Sequence, residues 1–439
     1  MNRVSRANSG VNLPALRSHN AALVLDLLRL AGRDGISRPE LAERTGLTPQ
    51  AVSKITARLR EDGLVAEAGR LASTGGKPRT VLRLVRGARS AVGLHLDRDE
   101  LTAVLTDLTG EQLAMRTVPF DFGASAGTVL DAAAGEVRNL LAEAGSAPVA
   151  GRSDATPPQA EPTAVPETAP GPLLGVGIAC PGPLDHRSGT LGRVTGLPRW
   201  DGYPLRDALA ARLGLPAVLD KDTNAAALGL ALRSAADGRA PDHRDSFAYL
   251  HLGTGLGAGL VLGGGLYRGS RTGAGEFGHQ VIQLDGPPCE CGDRGCVEAL
   301  CLAAVARGDI PEAARVLGTA AANLVGLLDI DRVLLGGRTA VADGEAFVRG
   351  VGAVLAERAA REGLGPAPAR TVPVGVAPDG ERAVAYGAAQ LVLAPMFGHG
   401  DQTDRGDQAG HGAQADRGDQ TDRGDRTEDA PHSAAVVET

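Results

Sequence analysis

A histidine and three cysteines in one short window have the residue types and the spacing of a metal site. His279 is followed by Cys289, Cys291 and Cys296, which are three of the five cysteines in the 439-residue chain. Thiolates and a neutral imidazole are the ligands that close a tetrahedral zinc site. The pattern therefore predicts one structural Zn²⁺ per chain, held by these four side chains. A cluster of free thiols is the alternative interpretation.

Two carboxylates flank the predicted metal ligands. Glu276 lies three residues before His279, and Glu298 lies two residues after Cys296. A bound metal would fix the segments that carry both carboxylates, and two fixed carboxylates are a way to bind the hydroxyls of a polyol. The same window therefore predicts a ligand pocket beside the metal.

The motifs in this window resemble those of the ROK family, named for repressors, open reading frames and sugar kinases. They are Gly-Glu-x-Gly-His at 275–279 and Cys-x-Cys-Gly-x-x-Gly-Cys-x-Glu at 289–298. In that family the histidine and cysteines bind structural zinc, and an Asn-Asp-x-Asn segment supplies an aspartate to the sugar. The resemblance implies sugar contacts from Asp222, Glu276, His279 and Glu298. Lys221 stands where the family usually has asparagine.

Charge is distributed unevenly along the chain. Residues 1–90 hold 16 Lys and Arg against 7 Asp and Glu, a net charge of +9, whereas the whole chain carries −7 and the remainder therefore −16. A basic segment on an acidic body is typical of a nucleic-acid-binding protein. The sequence has neither an uninterrupted apolar run of about 18 residues nor an apolar signal core at its start. We therefore expect a cytoplasmic protein without a membrane span.

The basic segment has the pattern of a helix-turn-helix unit. Apolar residues recur at helical spacing over 19–31, which predicts a first helix. Ser37 is placed to cap a second helix that ends at Gly46, and Thr48 is placed to cap a third. A hairpin over 66–84 would follow as a wing with a Gly-Gly tip. This arrangement resembles the winged helix-turn-helix unit of ROK repressors; a three-helix bundle that binds protein is the alternative.

The polar face of the third helix and the wing tip are the predicted DNA contacts. Short polar and basic groups at the start of such a helix suit the edges of bases in a major groove, and basic groups on a wing suit phosphates or a minor groove. The predicted contacts are Thr48, Gln50, Ser53, Lys54, Arg58, Lys77 and Arg79.

The rest of the chain predicts an α/β body. Strand-like segments lead into Asp222 and into a glycine-rich loop at 253–259, and such loops can present backbone N–H groups to a phosphate. The resemblance implies an actin-like, sugar-kinase (ribonuclease H-like) body of two lobes behind an all-α plus wing domain. The predicted domains are a DNA-binding domain at 1–88, a sugar-binding body at 89–396 with a disordered insertion at about 144–172, and a disordered acidic low-complexity tail at 397–439.

A departure from the family pattern bears on catalysis. The kinases of the family carry Asp-x-Gly-Gly-Thr on the first hairpin, where this chain has His95, Leu96, Asp97, Arg98 and Asp99. Carboxylates in a turn that should hold a phosphate repel it, and phosphoryl transfer depends on positioning and charge neutralisation. We therefore predict no enzymatic activity, although Asp222 occupies the family's general-base position.

These observations predict a sugar-responsive DNA-binding regulator, a repressor of carbohydrate metabolism genes. Its partners would be a double-stranded operator and a sugar or sugar-phosphate effector, and the resemblance implies a homodimer or homotetramer that suits a palindromic site. One alternative is a ROK sugar kinase with an appended DNA-binding domain. Another is a regulator that responds to a protein partner and has lost sugar binding.

Overall fold

The N-terminal part of the chain is a three-helix unit with a small sheet. The computed structural model describes residues 13–71, 79–146, 170–234, 246–362 and 371–400. The helices are α1 (Leu13–Ala31), α2 (Arg38–Thr45) and α3 (Pro49–Glu61), and the strands are β1 (Ile36–Ser37), β2 (Val65–Leu71) and β3 (Arg79–Leu84). The sheet is antiparallel in the order β1-β3-β2. This is the predicted winged helix-turn-helix arrangement.

Local capping sets the limits of these helices as the sequence predicts. The Ser37 hydroxyl accepts from the Glu40 N–H at 3.5 Å, and the Thr48 hydroxyl accepts from the Ala51 N–H at 3.2 Å. Gly46 ends α2 with φ of +69°, a left-handed conformation that favours glycine. The first helix begins at Leu13 rather than at residue 19. Proline is well accommodated at Pro14 in the first turn, because the N–H groups of that turn have no partner within the helix.

The first lobe of the body is built on a five-stranded sheet. Strands β4, β5 and β6 form an antiparallel meander, and β7 and β10 run parallel to β4 in the order β10-β7-β4-β5-β6. The elements are β4 (Ser90–Leu96), β5 (Glu100–Asp107), β6 (Gln112–Pro119), α4 (Ala126–Ser146), β7 (Leu173–Cys180), β8 (Leu184–Asp185), β9 (Thr190–Leu191), α5 (Leu205–Leu213), β10 (Ala217–Lys221) and α6 (Asp222–Ser234).

The predicted insertion at 144–172 is shorter at both ends. Helix α4 continues to Ser146, and β7 starts at Leu173 after three described residues. Residues 147–169 lie outside the described residues, as do residues 401–439 of the predicted tail.

The second lobe repeats the topology of the first. Its sheet has the order β13-β12-β11-β14-β15, in which the first three strands are antiparallel and β14 and β15 run parallel to β11. The strands are β11 (Phe247–Leu252), β12 (Leu256–Leu262), β13 (Gly265–Tyr267), β14 (Arg332–Gly336) and β15 (Val374–Val376). The helices of this lobe are α7 (Val297–Ala306), α8 (Ile310–Leu328), α9 (Arg338–Ala342) and α10 (Gly344–Arg361). Helix α11 (Ala383–Leu393) follows them in the chain and packs on β4 and β7 of the first sheet. Two lobes of one topology confirm the predicted sugar-kinase-like body.

Two helices lie against each other at the junction of the lobes. Helices α6 and α11 share an apolar cluster with β11 and β12. Gly387 of α11 rests directly on the backbone of Ala225 in α6, where any Cβ would overlap a carbonyl oxygen. This close contact fixes α6, and therefore its first residue, Asp222, relative to both sheets.

The N-terminal unit packs against the end of the body. Val24 and Leu28 of α1 share a buried cluster with Leu393 and Phe397. The Arg29 guanidinium donates to the Leu232 carbonyl at 2.7 Å, near the end of α6. The helix-turn-helix unit is therefore in direct contact with the body. None of the described helices is both long and apolar enough to cross a membrane.

Candidate functional site

The four predicted sugar contacts line one cleft between the two lobes. Asp222 follows the last residue of β10, Glu276 and His279 lie in the segment after β13, and Glu298 is in the first turn of α7. The cleft is also lined by the turn after β4 and by the glycine-rich loop between β11 and β12. The structure thus brings together residues that are up to 76 positions apart in the sequence.

Each carboxylate among the predicted sugar contacts has one oxygen held by the protein. Asp222 Oδ1 accepts from the Thr223 N–H at 2.6 Å, and Glu298 Oε2 accepts from the Leu256 N–H at 2.8 Å. Glu276 Oε1 accepts from Lys221 Nζ at 3.0 Å. The arrangement presents oriented acceptors to the cleft, which is the chemistry that binds hydroxyl groups.

Burial raises the pKa of Asp222 to about 7. The cause is desolvation, because removal from water disfavours the charged carboxylate. A general base works best when its pKa lies near the working pH, and the carboxyl group of Asp222 meets this condition on the wall of a cleft. The geometry of Asp222 alone therefore suits either hydroxyl binding or proton abstraction.

The predicted metal ligands form one compact cluster at the edge of the cleft. The ligand atoms of His279, Cys289, Cys291 and Cys296 all lie within 4.8 Å of one another. Cys291 Sγ and Cys296 Sγ are 3.7 Å apart, and Cys289 Sγ is 3.8 Å from His279 Nδ1. Tetrahedral zinc with Zn–S bonds of about 2.3 Å requires an S···S distance of about 3.8 Å. The donor set and its spacing therefore fit a tetrahedral metal ion.

The turn that departs from the kinase pattern is joined to the opposite lobe. Arg338, at the start of α9, donates to Asp99 at 2.6 Å and to Asp97 at 3.3 Å. The Thr254 hydroxyl of the glycine-rich loop also donates to Asp97, at 3.2 Å. The two carboxylates thus have partners in the second lobe. The negative charge that the sequence places in this turn is therefore offset by residues of the same protein.

His95 lies beneath this turn and is fully buried. Burial lowers the pKa of His95 to about 4, so the imidazole is neutral at physiological pH. Within the described part of the chain, its Nε2 has no hydrogen-bond partner. His95, in the place of the aspartate of the kinases' Asp-x-Gly-Gly-Thr motif, therefore offers no positive charge to a phosphate.

The structure exposes most of the predicted DNA contacts on one helix. Thr48 is the N-cap of α3, and Gln50, Ser53, Lys54 and Arg58 are all exposed on it. The opposite side carries the buried residues Val52 and Leu59. Lys77 lies outside the described residues, and for Arg79 the structure gives only the backbone, at the start of β3.

Two basic residues of the site were not predicted as contacts. From the sequence, Lys221 was noted only as a replacement of asparagine, and no role was assigned to Arg338. Arg338 follows a strand of one lobe and pairs with carboxylates in a turn of the other. Sequence spacing does not reveal such a pair, since the partners are 241 and 239 residues apart.

Comparisons with known proteins agree with this architecture. The ROK family profile matches residues 165–307, and the MarR family profile matches residues 18–70. A crystal structure of a ROK family transcriptional regulator, a homologue of the Escherichia coli MLC protein, superposes with a TM-score of 0.65. It covers 87% of this chain and 97% of that chain at 22% identity, which shows a common fold.

Two curated relatives illustrate the range of similar proteins. A putative xylose repressor from Caldicellulosiruptor sp. (strain Rt8B.4) is 31% identical over 263 residues, which is 60% of this chain. The chain spans 59% of the length of that relative. A glucokinase from Thermotoga maritima is 43% identical over 133 residues, 30% of this chain and 40% of the enzyme.

The fold and the cleft define a sugar-kinase-like α/β protein that carries a winged helix-turn-helix domain at its N-terminal side. The chain contains a ROK family domain, matched over residues 165–307, behind a MarR-type winged helix domain matched over residues 18–70.

Proposed function

We propose that the protein is a transcriptional repressor of carbohydrate metabolism genes that binds operator DNA and a sugar effector. The observation that carries this proposal is the convergence of Asp222, Glu276, His279 and Glu298 on one cleft, in a chain that also exposes a polar recognition helix. The name of the relative, a putative xylose repressor, agrees with it. Such a protein acts on DNA in the cytoplasm.

Zinc is the proposed occupant of the His279 and cysteine cluster. Three thiolates and one imidazole are a donor set typical of structural zinc, whereas calcium and magnesium prefer oxygen ligands. The ion would join the segments before and after the cluster, which carry Glu276 and Glu298. It would thus support the sugar cleft without taking part in a reaction.

The residues proposed to contact DNA are those predicted on α3 and on the wing. Gln50, Ser53, Lys54 and Arg58 lie on the exposed face of α3 and would enter the major groove, while Thr48 would cap the helix against a phosphate. Lys77 and Arg79 would contact the backbone or the minor groove from the wing. A homodimer or homotetramer would present two such units to a palindromic operator.

A sugar kinase is the second candidate function. The raised pKa of Asp222 and the similarity to a glucokinase favour it. The turn at Asp97 and Asp99 argues against a kinase. A nucleotide phosphate would need positive charge at this turn, but Arg338 is paired there with these two carboxylates. We therefore propose sugar binding without phosphoryl transfer.

Titration calorimetry and a turnover assay on the same full-length protein distinguish the two functions. We expect D-xylose or D-glucose to bind, and no sugar-dependent ADP release above the rate of ATP hydrolysis without sugar. The Asp222→Asn variant should weaken sugar binding by about tenfold or more, since a hydrogen bond to a charged group contributes about 1.5–3 kcal/mol. Sustained sugar phosphorylation that Asp222→Asn abolishes would establish the kinase instead.

A further inference from the structure

The three carboxylates among the proposed sugar contacts are held in different ways. Asp222 and Glu298 accept from backbone N–H groups, of Thr223 at 2.6 Å and of Leu256 at 2.8 Å. Glu276 accepts from a side chain, the ammonium of Lys221, at 3.0 Å. The second oxygen of each carboxylate takes no hydrogen bond from the described residues. The orientation of Glu276 therefore depends on one side chain, which a substitution can remove.

Lys221 is placed for this role by its burial and by its position in the fold. It is the last residue of β10, directly before Asp222, and its side chain is only 3% exposed. Its ammonium also donates to the Ala274 carbonyl at 2.5 Å, two residues before Glu276. A buried ammonium needs such partners, because an unpaired buried charge is strongly unfavourable. Lys221 thus joins the end of β10 to the segment that carries Glu276.

Two features indicate that the orientation of Glu276 depends on the ion pair with Lys221. Its side chain is 42% exposed, so without a bond it would be free to adopt other rotamers in solvent. It also shares the cleft with the carboxylates of Asp222 and Glu298, and like charges at close range repel. The Lys221 ammonium restricts the rotamer of Glu276 and offsets its negative charge.

We infer that Lys221 is a positioning residue for the effector: it holds Glu276 with one oxygen open to a sugar hydroxyl. This inference rests on the proposed sugar-binding function. The three carboxylates then form a set of oriented acceptors, and the ligand that fits them is a polyol with several free hydroxyl donors. Asparagine, the usual residue of the family at this position, has a shorter side chain without charge and would not form the same ion pair.

A double-mutant cycle on sugar affinity tests the inference. The variants are Lys221→Met, which keeps an unbranched arm and removes the ammonium, Glu276→Gln, and the two combined. Titration calorimetry of the full-length proteins would use whichever of D-xylose and D-glucose the wild type binds. We expect each single substitution to weaken binding about tenfold, and the double variant to be no more than about twofold weaker than either.

Arg98→Met is the matched control. Arg98 is also a cation that lines the cleft, but its guanidinium donates to the Thr195 carbonyl at 2.8 Å and not to a cleft carboxylate. Its effect should therefore add to that of Glu276→Gln. Lys221→Gln, which keeps a donor, should lose less affinity than Lys221→Met. Thermal unfolding of each variant would reveal a general loss of structure.

Two results would overturn the inference. If Lys221→Met binds the sugar as the wild type does, or if its effect adds fully to that of Glu276→Gln, Lys221 does not act through Glu276. The proposed function would be unaffected by either result. If the wild type binds neither sugar, the proposed sugar-binding function fails, and the role of Lys221 fails with it.

Discussion

The metal cluster depends on single residues that bend the chain tightly between its ligands. Gly292 has φ of +105°, in a region that side chains rarely adopt, and the Cys289 N–H donates to the Asp293 carbonyl at 2.8 Å across this turn. The next ligand, Cys296, is the N-cap of α7, whose first turn contains Glu298. The cluster and the cleft are therefore connected through α7, because a metal bound by Cys296 would hold the start of this helix.

Replacement of one exposed ligand tests the proposed zinc. Cys291 is exposed and Cys301 is buried in α7, outside the cluster. We expect one zinc per chain by elemental analysis of the purified wild type, loss of it in Cys291→Ala, and retention in Cys301→Ala. Since 1 kcal/mol shifts Tm by about 2–4 °C in a domain of this size, Cys291→Ala should lower Tm by roughly 5 °C or more. Zinc at full stoichiometry in Cys291→Ala would refute this ligand set.

Sequence analysis could predict this cluster because its ligands are close together along the chain. It could not predict the roles of Lys221 and Arg338, whose partners are 55 and about 240 residues away. The family resemblance implied that Glu276 contacts the sugar, but it did not imply that the Lys221 ammonium holds Glu276. Side chains that meet only when two lobes come together leave no local pattern.

The elements of the helix-turn-helix unit were predicted more fully than those of the body. The caps at Ser37 and Thr48 act through the next three residues, so their effect is visible in the sequence. In the body, β4 pairs with β7 across some 80 residues, and the repeated strand order of the two sheets follows from such long-range pairing. Strand segments were recognisable in the sequence, whereas the two-lobed body that they form was implied only by the family resemblance, and the order of the strands was not predicted.

The exposed face of α3 and the wing should contribute differently to DNA binding. Ser53→Ala or Arg58→Ala should relax sequence preference, because both side chains are exposed on the face that would read bases. Lys77→Ala should weaken binding to all sequences and reduce the slope of log K against log salt by about 1. The measurement is fluorescence anisotropy with selected and scrambled duplexes at several salt concentrations.

Arg60→Ala is the control for this series. Its guanidinium lies at the end of α3 and pairs with Glu67 of β2 at 3.3 Å, within the same unit. We expect it to leave sequence preference unchanged. An Arg58→Ala variant that discriminates between the two duplexes as well as the wild type does would exclude Arg58 from base recognition.

At the scale of the whole molecule, helix α6 connects the proposed sugar cleft to the winged helix-turn-helix unit. Its first residue, Asp222, lines the cleft, and the Leu232 carbonyl near its other end accepts from Arg29 of α1. Arg29 also pairs with Asp26 at 2.7 Å and lies 5.4 Å from the centre of the Phe397 ring. A change at the cleft therefore has a direct route of packed elements to the recognition unit. The sequence alone placed these residues in separate predicted domains and gave no sign of the contact.

The central claim is that sugar bound in the cleft changes operator affinity without being phosphorylated. The most direct measurement is the Kd for a duplex selected by the wild-type protein from random DNA, with and without saturating D-xylose or D-glucose. We predict a change of at least about fivefold in the wild type, the lower end of typical allosteric coupling. At the same sugar concentration Asp222→Asn should show a much smaller change, with its sugar-free operator affinity within about twofold of the wild type. A sugar that binds the cleft and leaves operator affinity unchanged, or a chain lacking residues 1–90 that binds the duplex as tightly as the full-length protein, would contradict the account.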